Sequence, residues 1–245
     1  MKILKQRYLR GPNLYTCQPC LLTLIDLKDL ASASPHTLPG FSGRLLELVP
    51  SLGARLRSAA HLADVLEHVT LELQGLAGHA VSFGRTHSVT GKPGQYRVVC
   101  AYESERVAGE AFALAMQLVG ALARGEAFDL AGPLDELRHA AARAAIGTST
   151  AAVLAAAERR GIPSQRLTEG ANLFLLGWGR KQKRLQATIT GATSHVAVGI
   201  ASDKQLTKAL LRQAGLPVPE GDTVTTPEQA CRVAARLRAP VTVKP

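Results

Sequence analysis

The side chains that could do chemistry lie in five short stretches. Asp203-Lys204 opens an amphipathic run in which Lys204, Lys208 and Arg212 recur at i, i+4 and i+8. That spacing lines three cations along one helical stripe. Taken alone, the stripe reads as the solvated basic face of a capped helix. Asp64-Val-Leu-Glu67-His68 with Glu72 puts Asp64, His68 and Glu72 on one face of a helix, within reach of a shared metal ion. The competing reading, which we prefer, is a polar face of i, i+4 pairs with no metal. In Phe83-Gly-Arg-Thr-His87, Arg85 and His87 offer charge to a polymer or a nucleotide, or simply end a strand. Thr193-Ser194-His195 has no acid nearby to complete a catalytic triad, and no catalytic residue is assigned. Cys17-Gln-Pro-Cys20 lacks the second pair that a zinc site needs, so its thiols read as incidental.

The elements that must position these groups follow from periodicity. Residues 2–9 and 21–27 read as strands, with Gly11-Pro-Asn between them. A short helix precedes Pro50, and Arg57–Leu76 reads as one long helix with Leu66 and Leu73 on its apolar face. Ala80–Arg85 and Gln95–Glu103 alternate like paired strands. Helices are expected over Glu105–Arg124, Leu134–Ala145 and Thr148–Arg160. Composition turns at Gly161-Ile-Pro163, so the domains are placed at residues 1–160 and 161–245. In the second, Gln186–Thr190 and Val196–Ala201 read as strands. A helix from Asp203 is stopped by Gly215 and Pro217. A strand near Asp222–Thr225, a helix over Pro227–Leu237 and a strand Val241-Thr-Val-Lys244 follow.

Composition narrows the field. With 46% hydrophobic and 20% charged residues, a packed core is expected, built on aliphatic side chains because aromatics supply only 4%. No stretch of about 18 apolar residues or signal-peptide pattern is evident, so the expectation is a cytoplasmic protein without a membrane. A net charge of +10 invites a nucleic-acid reading. The cations are scattered, however, and the densest run, Arg180-Lys-Gln-Lys-Arg184, has only Trp178 beside it. ATP or an acidic polymer would use the same charge.

Several strings, in consistent order, resemble one family. Arg10-Gly-Pro-Asn13, Glu67-His-Val-Thr-Leu-Glu-Leu-Gln74, Phe83-Gly-Arg-Thr86, Gly161-Ile-Pro163 and Ala187-Thr-Ile-Thr190 with Thr193-Ser-His195 resemble cyanophycin synthetases. The run from Asp203 to Val-Thr-Val-Lys244-Pro resembles the opening of an ATP-grasp domain. The resemblance implies an α+β N-terminal domain, an antiparallel sheet with helices, followed by the incomplete first lobe of an ATP-grasp fold. It implies that Lys204 and Lys244 contact the phosphates of ATP, with Mg2+ as the metal, and that Ser194 and His195 lie toward the substrate. On the helix over Arg57–Leu76, related synthetases can carry H-x-x-E-H; here Asp64 replaces the first histidine. The implied activity is a ligase that extends multi-L-arginyl-poly-L-aspartate by adding aspartate and arginine, as a homo-oligomer. The glycine-rich loop and second lobe expected after Lys244 do not follow, so we expect a fragment that binds polymer without turnover. The alternatives are a non-catalytic module for a charged polymer or a basic nucleic-acid binder.

Overall fold

The computed structural model describes residues 1–168 and 172–243. The chain divides into two compact units, Met1–Thr188 and Ile189–Pro245. The composition boundary at Gly161 falls inside the first of them.

The first unit is built on a four-stranded antiparallel sheet. Its strands are β1 (Lys2–Leu9), β2 (Cys20–Asp26), β3 (Gly84–Ser88) and β4 (Gln95–Ala101), in the spatial order β1-β2-β4-β3. Because side chains alternate across a pleated sheet, one face of β2 and β4 supplies Leu21, Ile25, Tyr96, Val98 and Cys100 to the core. Two helices cover that face: α3 (Leu62–Leu76) and α4 (Glu105–Ala123). Leu62, Leu66, Val69 and Leu73 of α3 are fully buried, as are Val107, Ala115 and Leu118 of α4. Helix α4 starts at Ser104, whose hydroxyl accepts from Val107 N at 3.3 Å. It is long and apolar enough to cross a membrane by length and composition, yet 61% of its apolar window is buried inside the protein.

Three further helices complete the wall around this core. They are α1 (Phe41–Leu48), α2 (Gly53–Ser58) and α5 (Ala131–Ala144). Then α6 (Thr148–Glu158) leads into a smaller antiparallel sheet of β5 (Ser164–Thr168), β6 (Leu173–Leu176) and β7 (Lys183–Gln186). The α+β character and the antiparallel pairing expected from the sequence are both present.

Several elements differ from the sequence reading here: β5 and β6 are not among the expected strands, and β7 ends at Gln186, where the expected strand Gln186–Thr190 begins. The single helix expected over Arg57–Leu76 is two helices, because Ala59 turns extended (φ −72°, ψ 117°). The carboxylate of Asp64 then caps the new start, accepting from Ala60 N and His61 N at 2.9 Å each. Strand β3 also lies later than expected, at Gly84–Ser88, where it pairs with β4.

The second unit begins with the short strand β8 (Ile189–Thr190) and holds α7 (His195–Ser202), α8 (Lys204–Gln213) and α9 (Pro227–Leu237). The strand expected at Val196–Ala201 is helical. Val196, Val198 and Ile200 alternate like a strand, but local bonds such as Val198 N to Ser194 O at 3.0 Å satisfy the backbone within the segment. Asp222–Thr225 and Val241–Val243 are not strands either.

Candidate functional site

The second face of the first sheet carries the charge. Register sets it out in two rows. Lys5 pairs with Leu24, Leu24 with Arg97, and Arg97 with His87. Arg7 pairs with Leu22, Leu22 with Val99, and Val99 with Arg85. Two basic groups thus stand on each edge strand and one more stands between them. Strands lie about 4.8 Å apart, so the two edges are separated by about 14 Å. Lys5, Arg7, Arg85, His87 and Arg97 are all exposed. Among the described residues none of Lys5, Arg7, Arg85 and Arg97 enters an ion pair within 4.0 Å. Between the edges lie the half-buried Leu22 and Leu24 and the buried Val99, the last packed with Cys20, Tyr15 and Phe83.

A loop over residues 10–19 borders this face, and Asn13 holds its shape. The Asn13 amide donates to Gly11 O at 3.0 Å and Gln18 O at 2.9 Å, while its Oδ1 accepts from Tyr15 N at 2.9 Å. Tyr15 is thereby set against His87, ring centroids 6.4 Å apart and nearly parallel. Of this face, Arg85 and His87 were visible as candidates in the sequence. Lys5, Arg7 and Arg97 were not, since only the register brings them together. The signal that could have found them is the alternation Lys5-x-Arg7 in the first strand.

Behind β3 lies a buried carboxylate. Glu67 of α3 is 7% exposed. Its Oε2 accepts from the Thr86 hydroxyl at 2.7 Å, and its Oε1 lies 3.8 Å from His68 Nε2. That second distance is within ion-pair range, but burial drives both groups toward their neutral forms. It pushes the Glu67 carboxyl up, against the pull of Thr86, Arg55 and Arg85, and pushes His68 down. The metal trio considered from the sequence is not assembled. Asp64 is spent on its helix cap, and Glu72 accepts from Ser51 Oγ at 2.6 Å. Among the described residues no group of three His, Cys, Asp or Glu side chains could hold a metal ion.

The raised Glu67 carboxyl has a signed consequence. Below the ordinary value of 4.5 the group is protonated in folded and unfolded chains alike. As pH rises past it, the unfolded chain releases its proton first and stability falls until the folded group also ionises. Glu67→Gln keeps an acceptor for Thr86 and cannot ionise. We expect its melting temperature to gain on the wild type between pH 4.5 and neutrality, with no gain below 4.5. Thermal melts across pH 4 to 8 check this, and a gap independent of pH would refute it.

The second unit holds a cleft of about 1280 Å³, lined by Ser202, Asp203, Lys204, Lys208, Gly221 and Pro240–Val243, among others. Asp203 caps α8 as the sequence predicts, accepting from Gln205 N and Leu206 N at 2.9 Å each. That cap fixes where Lys204 leaves the backbone. Lys208, which the sequence places on the basic stripe with Lys204, also lines the cleft, and its Nζ donates to Gly221 O at 3.1 Å. Lys244 lies outside the described residues, though the run leading to it forms part of the wall. Ser194 and His195 are exposed at the start of α7, whereas the lining begins at Gly199. Two ammonium groups in one wall suit an anion with several oxygens, such as a phosphate chain.

Known proteins resemble the chain in a consistent way. Residues 22–124 match the family model of the cyanophycin synthase-like N-terminal domain. Over 264 aligned residues the whole chain is 34% identical to a cyanophycin synthetase of Geminocystis herdmanii, covering 30% of that protein. Over 242 residues, 91% of the chain, it is 36% identical to a cyanophycin synthetase of Synechocystis, covering 28% of it. A cyanophycin synthetase of Trichormus variabilis is 37% identical over 242 residues, with 27% of it covered. The chain therefore spans less than a third of the length of these curated relatives.

Proposed function

We propose that this chain, which carries a cyanophycin synthase-like N-terminal domain at residues 22–124, serves cyanophycin synthesis by holding the polymer on the outer face of its first sheet. The observation that carries the reading is the set of unpaired cations Lys5, Arg7, Arg85 and Arg97 around an apolar floor. A polyaspartate chain bearing arginines presents a carboxylate and a guanidinium in every repeat. Carboxylates have four side-chain partners on this face, and the Tyr15 ring offers a plate for a guanidinium. In an extended chain, side chains on one side recur about every 7 Å, the same step that separates Lys5 from Arg7 along a strand.

The ATP-grasp reading of the second unit stays part of the proposal. The cleft beside Lys204 and Lys208 favours it, as does the run toward Lys244 in its wall. There Lys204 and Lys244 would neutralise phosphate charge while a carboxylate is activated for attack by an amine. ATP with Mg2+, and aspartate and arginine as substrates, belong to the ligase activity proposed for the full-length relatives. These 245 residues alone are expected to hold polymer without extending it. A cytoplasmic setting and a homo-oligomeric full-length protein remain parts of the same proposal.

The test is sedimentation with insoluble cyanophycin. Wild-type chain is expected to co-sediment. The double variant Arg85→Glu, Arg97→Glu is expected to bind at least about tenfold more weakly, with a shallower dependence on salt. Equal binding by wild type and double variant would refute the assignment of this face.

A further inference from the structure

The densest run of charge in the chain is not part of the face just described. Arg180, Lys181, Lys183 and Arg184 stand at the hairpin joining β6 to β7, all exposed. Among the described residues none of the four enters an ion pair within 4.0 Å. Trp178 opens the same turn and is 44% exposed. Like charges crowded on a short turn repel one another, and the exposed part of the indole forgoes burial.

This turn is tied to the outer face through the loop over residues 10–19. A Cβ at Gly11 would lie 3.6 Å from Trp178 Cη2, so the indole rests against the bare backbone there. Four residues on, Tyr15 stacks with His87 on the sheet. Four extended steps reach no more than about 14 Å. One loop therefore carries contacts to both cationic surfaces, and each of them has an aromatic ring at its edge.

We propose that the hairpin over residues 177–184 is a second anchoring point for the polymer held by the first sheet, an inference that rests on that reading. Carboxylates pair with the four hairpin cations, and a guanidinium lies on the exposed face of Trp178. A plain polyanion needs only the cations. A repeat that carries both charges also uses the ring, and both surfaces offer the two together. A long chain engaging both surfaces gains from effective concentration, whereas a short one does not.

Trp178 is the sole tryptophan, so its emission reports on this turn alone. The experiment uses the full chain, a long soluble polymer and a two-repeat oligomer, whose backbone spans no more than about 7 Å. Titration with the long soluble polymer is expected to shift Trp178 emission, with the midpoint at which the same polymer releases the chain from insoluble cyanophycin in the sedimentation assay. Arg180→Glu with Lys181→Glu, two exposed positions, should weaken the long polymer about tenfold and the oligomer less than about twofold. Trp178→Phe, which keeps a ring, should weaken the long polymer less than this charge reversal. Suppose polymer binds wild type while emission stays fixed and the charge reversal changes nothing. The hairpin anchor is then overturned and the sheet face stands. If wild type binds no polymer at all, both readings fall together. Stronger binding at the hairpin of an RNA with the same number of anionic groups would also overturn the anchor.

Discussion

Gly84→Val is expected to destabilise the first unit by about 3 kcal/mol, through overpacking and disruption of a buried hydrogen bond. A Cβ at Gly84 would lie 2.3 Å from Glu67 Oε1 and 2.7 Å from its Cδ and Cγ. The end of a glutamate can usually swing aside. This one is buried, and its other oxygen accepts from Thr86. Moving it breaks that bond and places a carboxylate that already resists ionisation among apolar neighbours. For a unit of this size, melting should fall by about 6 to 12 °C. The partner variant makes the cause identifiable. Glu67→Ala empties the space a new side chain would need, so adding Gly84→Val to it should cost much less than in wild type. A coupling of about 1–3 kcal/mol between the two sites is expected. Strictly additive losses would show that the glycine serves something other than clearance for Glu67.

The same pair shows where sequence reading succeeds and where it stops. Helix α3 was legible because Leu66, Leu73 and their neighbours repeat at helical spacing over four turns. Its true start was not, because a single carboxylate decides it. Asp64 was readable as a metal ligand or, in the reading preferred, as one of a row of i, i+4 pairs, yet two backbone donors claim it first. Glu67 drew attention only as part of a motif, since nothing in a linear string reveals that β3 will lie across it. The basic face was half legible. Arg85 and His87 sit two apart in one strand, but Arg97 reaches them only through the β3–β4 register, and Lys5 and Arg7 only through β2. In the second unit, alternation of Val196, Val198 and Ile200 pointed to a strand. Period-two patterns are decisive only where a neighbouring strand is available to exploit them. The helix from Lys204 was read correctly because its start and stop signals, Asp203 and Gly215, act within a few residues.

Leu66→Ala and Leu210→Ala should separate the two units by a wide margin. Leu66 is fully buried between the sheet and the helices that cover it, so its truncation is expected to cost about 2–5 kcal/mol. Leu210 is 40% exposed on α8, and neither α8 nor α9 holds a buried residue. Its truncation should cost less than about 1 kcal/mol. Hydrogen exchange tests the same difference without mutation. Amides of α3 should open only with global unfolding, whereas those of α8 and α9 should exchange orders of magnitude faster. What holds α8 is a handful of bonds: the Asp203 cap, the bond from Thr207 Oγ1 to Ile200 O, and that from Lys208 Nζ to Gly221 O. The position of Lys204 would then rest on a few hydrogen bonds, while the sheet face that presents Arg85 and Arg97 rests on a core. Protection of α8 equal to that of α3 would overturn this division, and so would a loss at Leu210 matching the loss at Leu66.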